Sequence, residues 1–78
     1  MSNEVYILYS KKLDGYYVGQ TNNIEKRLNV HNTGGKKYTS RGIPWILIRS
    51  YKCRSRSEAV RLEMKIKKRG IRRFIEDN

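Results

Sequence analysis

The chain has 78 residues, enough for one domain with a modest core. Its 18 Lys+Arg against 7 Asp+Glu give a formal net charge of +11. A small domain needs a net charge of only about 2–8 in magnitude for solubility, so the surplus favours a polyanionic partner, with nucleic acid ahead of an anionic membrane surface.

Cys53 is the single cysteine, which excludes an intrachain disulfide and a cysteine zinc site. No stretch approaches the length of a membrane span. The N-terminal run MSNEVYILYSKK is too short, and too acidic in front, for a signal peptide. The expectation is a soluble cytoplasmic monomer with no membrane and no disulfide-linked partner.

In chain order, Val5 to Tyr9 is a β-branched and aromatic run, and Asp14-Gly15 is a turn signal. Tyr16-Tyr17-Val18-Gly19 reads as the returning strand, so the chain opens with a β-hairpin. Thr21-Asn22-Asn23 supplies an N-cap for a helix from Ile24 to about His31, stopped by Asn32-Thr33-Gly34-Gly35. Lys36 to Pro44 is a basic loop. Trp45 to Tyr51 reads as a third strand, apolar enough at its start to be central. Ser55 with Glu58 forms a capping-box pattern for a helix to about Lys68, which Gly70 ends. Ile71 to Ile75 can add a short final helix. The predicted fold is a small α+β domain in the order β-β-α-β-α, a three-stranded antiparallel sheet with flanking helices.

On the second helix, at roughly 100° per residue, Ala59, Val60, Leu62, Met64 and Ile66 share a broad face expected to meet the sheet. Glu63 falls in the middle of it. A carboxylate there needs a cation, a metal or a proton, and the plainest partner is a structural salt bridge. On the first helix, Ile24 and Leu28 form the buried stripe, with His31 beside them and Arg27 at its edge. Six tyrosines are many for this length, and strands favour tyrosine for packing alone. Gly19, however, lies in a strand otherwise built for bulk and marks a place where a backbone or ligand approaches closely.

Taken together, these residues resemble a GIY-YIG nuclease domain, over Glu4 to about Lys68. Glu4-Val5-Tyr6 stands at the first triplet, with Glu4 in place of glycine, and Tyr17-Val18-Gly19 at the second. The likeness continues through Asn23 to Leu28, His31, the Lys37-Tyr38-Thr39 loop, Ser57-Glu58-Ala59, Glu63 and Ile66-Lys67-Lys68. Small stand-alone bacterial members are the nearest in pattern. The resemblance implies that Tyr6 and Tyr17 flank the attacked phosphate, one of them acting as general base. It further implies that Arg27 binds that phosphate, His31 assists proton transfer or orients the water, Gly19 leaves room and Glu63 holds one divalent cation, Mg²⁺ or Mn²⁺. Gln20 stands where some relatives carry lysine, so which tyrosine is the base stays open.

Such a site is chemically coherent. The cation acts as Lewis acid on the leaving oxygen, and the planar fork of Arg27 takes two phosphate oxygens. Tyrosine is a poor base unless positive charge lowers its pKa from about 10. Lys36, Lys37, Tyr38, Arg41, Lys67 and Lys68 are the candidate substrate contacts, mainly to DNA backbone. The implied activity is a DNA endonuclease of low sequence specificity, with branched, nicked or single-stranded structures as candidate preferences in repair or recombination. The alternative is a binding module that keeps the fold with little or no turnover. A D…ExK nuclease using Asp14 with Glu63-Met64-Lys65 would need its ExK on a strand, and a ββα-metal nuclease needs more histidine than His31.

Overall fold

β1 (Asn3–Ser10) and β2 (Gly15–Thr21) form the opening hairpin. Asp14, at φ 47°, takes the left-handed turn conformation before Gly15. Helix α1 (Ile24–Asn32), a 3-10 turn over Thr39–Gly42, strand β3 (Trp45–Cys53), helix α2 (Arg56–Arg69) and helix α3 (Ile71–Asp77) follow. The structure, a computed structural model, describes residues 3–33 and 39–77. The expected Gly34-Gly35 stop and the candidate contacts Lys36, Lys37 and Tyr38 lie outside them.

The local signals explain the helix boundaries. The Asn23 side chain accepts from Lys26 N and caps α1 at 3.1 Å. Ser55 Oγ accepts from Glu58 N at 3.2 Å and starts α2, while Glu58 reaches back to the Arg54 N–H at 3.4 Å. Gly70, at φ 96°, ends α2 and turns the chain straight into α3.

The three strands are antiparallel in the order β2-β1-β3. Here the strand expected to be central is an edge. The continuous run Val5–Leu8 is buried on both faces, which is the pattern of a middle strand. In β3 the register shifts opposite Ile7/Leu8, and Ile46 is left 55 % exposed.

Each sheet face carries its own core. Val5, Ile7 and Val18 pack against Ala59 and Ile66 of α2 and Phe74 of α3. On the opposite face Tyr6, Leu8 and Trp45 pack with Ile24 and Leu28 of α1. The buried face of α2 is narrower than its composition suggested: Ala59 and Ile66 are buried, Leu62 packs beside them, and Val60 and Met64 are exposed. Projected down the axis, Val60 and Met64 fall about 100° and 140° from Ala59, beyond the stripe that a sheet surface can cover. Among the described residues no helix is long and apolar enough to cross a membrane.

Candidate active site

Alternation along β1 and β2 sends Tyr6, Tyr17 and Gly19 to the same sheet face as α1. Tyr6 pairs across the strands with Gly19, and Leu8 with Tyr17, so the two tyrosines are diagonal neighbours with ring centroids 6.4 Å apart. Gly19 is what allows the Tyr6 phenol to lie there. A Cβ at that position would sit 2.6 Å from Tyr6 Oη, 2.8 Å from Cζ and 3.2 Å from the Tyr17 ring.

His31 is fully buried behind this pair. Its Nε2 is 3.0 Å from Tyr6 Oη, its Nδ1 is 3.1 Å from Thr39 Oγ1, and its ring meets Tyr17 edge-on at 4.9 Å. With the proton on Nδ1 donated to Thr39, Nε2 accepts the Tyr6 hydroxyl. The end of α1 is pinned to do this. Asn32 Oδ1 accepts from Trp45 N at 2.6 Å, and its Nδ2 donates to the Trp45 carbonyl at 3.1 Å. The Trp45 indole N–H donates to the Thr39 carbonyl at 2.7 Å.

Glu63 arrives from the other side of the sheet, on α2. Its side chain is 18 % exposed, and Oε2 lies 2.8 Å from the Lys67 ammonium, one helical turn on. Gln20 Nε2 donates to Oε1 at 3.4 Å. The salt bridge that its position called for is therefore made within its own helix, to a lysine that is itself 58 % exposed.

These two layers meet over the free edge of β2. Tyr6, Tyr17, Gly19 and Arg27 line one wall of a cleft of about 440 Å³, and Val18, Gln20, Glu63, Lys67, Tyr16 and Ile71 line the rest. His31 is not in the lining but touches both tyrosines that are. Arg41 and Lys68 are exposed and lie outside it. Tyr16, Gln20 and Ile71 join the cleft lining only through the fold. Alternation sends Tyr16 and Gln20 to the face opposite Tyr17, and only at a sheet edge can both faces line one hollow.

The electrostatics differ from the expectation that positive charge lowers the tyrosine. Burial pushes the Tyr6 phenol well above its ordinary value, the neighbouring Tyr17 adds to this, Arg27 opposes it and Glu63 adds again. The Glu63 carboxylate, through its hydrogen bond and its charge, raises Lys67.

Among the described residues no group of three or more His, Cys, Asp or Glu gathers to hold a metal. A hard divalent cation that keeps most of its waters needs no such cage. Glu63 fits it: a partly buried carboxylate at the cleft wall, with an amide beside it and an ammonium already drawn to it.

The profile of the GIY-YIG catalytic domain matches residues 3–72. A UPF0213 protein of Nitratidesulfovibrio vulgaris is 41 % identical over 70 residues, covering 86 % of this chain and 64 % of that protein. The chain thus spans just under two thirds of that relative. A UPF0213 protein of Staphylococcus haemolyticus is 42 % identical over 64 residues, covering 81 % of this chain and 77 % of its own length. The solution NMR structure of a UPF0213 protein from Bacillus halodurans is similar over 97 % of this chain and 81 % of that one, with 32 % identity and a TM-score of 0.60. On this profile match and these likenesses, the chain belongs to the GIY-YIG catalytic domain family.

Proposed function

We propose that this protein is a divalent-metal-dependent endonuclease that hydrolyses DNA phosphodiesters with low sequence specificity. The observation that carries the reading is the meeting of Tyr6, Gly19 and Arg27 with Glu63 in one cleft, although they come from opposite sides of the sheet.

The scissile phosphate lies against Arg27, whose fork donates to two of its oxygens and offsets the charge that builds up in the transition state. The bare backbone of Gly19 seats the Tyr6 phenol at the cleft wall, where its Oη can meet that phosphate. Hydrogen-bonded to His31, the Tyr6 hydroxyl has an acceptor for its own proton, so the phenol can take a proton from the attacking water as it passes its own to Nε2. Thr39 holds the imidazole in orientation. Glu63 would hold Mg²⁺ or Mn²⁺, which supplies Lewis-acid stabilisation of the leaving oxygen. Lys67 neutralises Glu63 until substrate and cation arrive.

The test is cleavage, with Mg²⁺ or Mn²⁺, of end-labelled single-stranded, duplex, nicked, flapped and four-way-junction DNA and one RNA. Glu63→Ala is assayed alongside. Metal-dependent internal cuts that vanish in Glu63→Ala, with binding retained, support the nuclease and rank its substrates. The high pKa of Tyr6 favours a second reading, a binding module with little turnover. Binding without cutting on every substrate would establish that module instead.

A further inference from the structure

Arg27 lines not one hollow but three. The second, of about 310 Å³, is bounded by Asn3, Gln20, Thr21, Asn22, Arg27 and Arg56, and so shares Gln20 and Arg27 with the active-site cleft. It has no carboxylate in its wall. Asn3, Asn22, Arg27 and Arg56 make no side-chain hydrogen bond or ion pair with any described residue. That is a concentration of unspent donors and two unneutralised cations, the chemistry of an anion site.

Arg56 is also misplaced for its helix. It is the first residue of α2, where the helix dipole favours a negative side chain and disfavours a positive one. Helix formation gives no reason for an arginine there. The path between the hollows is fixed by α2, which runs alongside β2. Arg56 shares a hollow with Asn22, Glu63 bonds Gln20, and Ile71 shares the cleft with Tyr16. Arg56 and Lys67 stand about 16 Å apart along the helix, room for several nucleotides of one strand.

We propose that the hollow of Asn3, Asn22 and Arg56 is a subsite for a phosphodiester flanking the one held at Arg27. One nucleic-acid strand then lies along the free edge of β2, held at the scissile phosphate and again at the phosphate beside it. The assignment of Arg27 to the scissile phosphate rests on the nuclease reading; the strand track itself does not. A strand that ended at Arg27 on that side would forgo the Arg56 contact, so the subsite favours cuts with nucleic acid continuing past Arg56.

The experiment measures binding of fluorescein-labelled single-stranded and duplex DNA without metal, across a salt series. The variants are Arg56→Gln, Arg56→Lys and Lys52→Gln, the last making the same charge change on β3 at the opposite edge of the sheet. Circular dichroism melts confirm that each is folded. Arg56→Gln should weaken binding about tenfold and lower the salt slope by about one. Arg56→Lys should keep most of the slope, and Lys52→Gln should change little. Equal losses in Arg56→Gln and Lys52→Gln, or no loss in Arg56→Gln, would overturn the subsite. Cleavage by the unsubstituted protein is scored separately. If it never cuts yet Arg56→Gln loses binding, the track stands and the nuclease reading falls; if it cuts and Arg56→Gln binds normally, the reverse holds.

Discussion

Tyr6 Oη and His31 Nε2 lie 3.0 Å apart in a pocket that leaves His31 wholly buried. Two polar groups thus satisfy each other inside the apolar layer beneath α1. Removing one strands the other. His31→Leu should cost about 1–3 kcal/mol of stability by orphaning the phenol, and should slow cleavage about 10²-fold or more. The double variant Tyr6→Phe/His31→Leu should recover part of the lost stability and none of the activity. Denaturant titration and single-turnover cleavage of the four proteins in the cycle separate the two effects.

Alkaline stability follows from the same pocket. The folded protein holds the Tyr6 proton to higher pH than an unfolded chain, whose tyrosine titrates near 10.0. Above that pH the folded state binds more protons than the unfolded state, so stability falls as pH rises. Below it, this contribution is fully present. Melting temperatures measured from about pH 8 to 11 should therefore drop steeply past about pH 10, and less steeply in Tyr6→Phe. Identical slopes in the two proteins would mean that the phenol is not desolvated.

Gly19→Ala tests the room above β2. The new methyl would lie within 3 Å of the Tyr6 phenol, at 2.6 Å from Oη and 2.8 Å from Cζ, so the ring must move. Overpacking of this kind costs about 1–3 kcal/mol. The domain should stay folded with cleavage nearly abolished, which a thermal melt and an activity assay will show together. Normal activity in a folded Gly19→Ala would mean that cleavage does not depend on the Tyr6 phenol lying over Gly19.

Lys67→Met removes the ammonium from Glu63. An i,i+4 helix pair is worth about 0.3–0.5 kcal/mol, and Lys67 is the exposed partner, so the melting temperature should hardly move. Cation affinity, read by Mn²⁺ electron paramagnetic resonance, should rise by about twofold. DNA affinity should fall, because Lys67 lines the cleft. Unchanged Mn²⁺ affinity would show that Lys67 does not compete for the carboxylate.

Tyr51 offers a prediction of opposite sign. Its hydroxyl is buried with no hydrogen-bond partner among the described residues, while its ring packs edge-on against Phe74 at 5.9 Å. Tyr51→Phe keeps the packing and removes the unpaired oxygen, so stability should hold or rise by up to about 1 kcal/mol. A loss of that size in urea denaturation would reveal a partner for the hydroxyl.

What the sequence disclosed was mostly local. The hairpin, the Asn23 and Ser55 caps and the Gly70 stop depend on residues a few positions apart, and each is visible in that span. Glu63 drew notice because it interrupts an apolar face, and the fold does bring it to the tyrosines and Arg27. Strand order was harder to read. Whether Trp45–Cys53 is central depends on which distant strand it pairs with, and its apolar start reflects a buried Trp45 followed by exposed Ile46, Leu47 and Ile48. The places of Tyr16 and Arg56 were illegible for a related reason. Their hollows bridge elements that adjoin only once β2 is known to be an edge and α2 to lie along it.

The two free edges of the sheet have unequal consequences for anyone building on this domain. A strand, linker or tag that zipped onto β2 would crowd the cleft that borders it and the proposed strand track, whatever its side chains. The outer side of β3 borders no part of that cleft. Fusions, surface tethers and fluorescent reporters therefore belong on the β3 side, and a peptide shaped to pair with β2 is the natural starting point for an inhibitor.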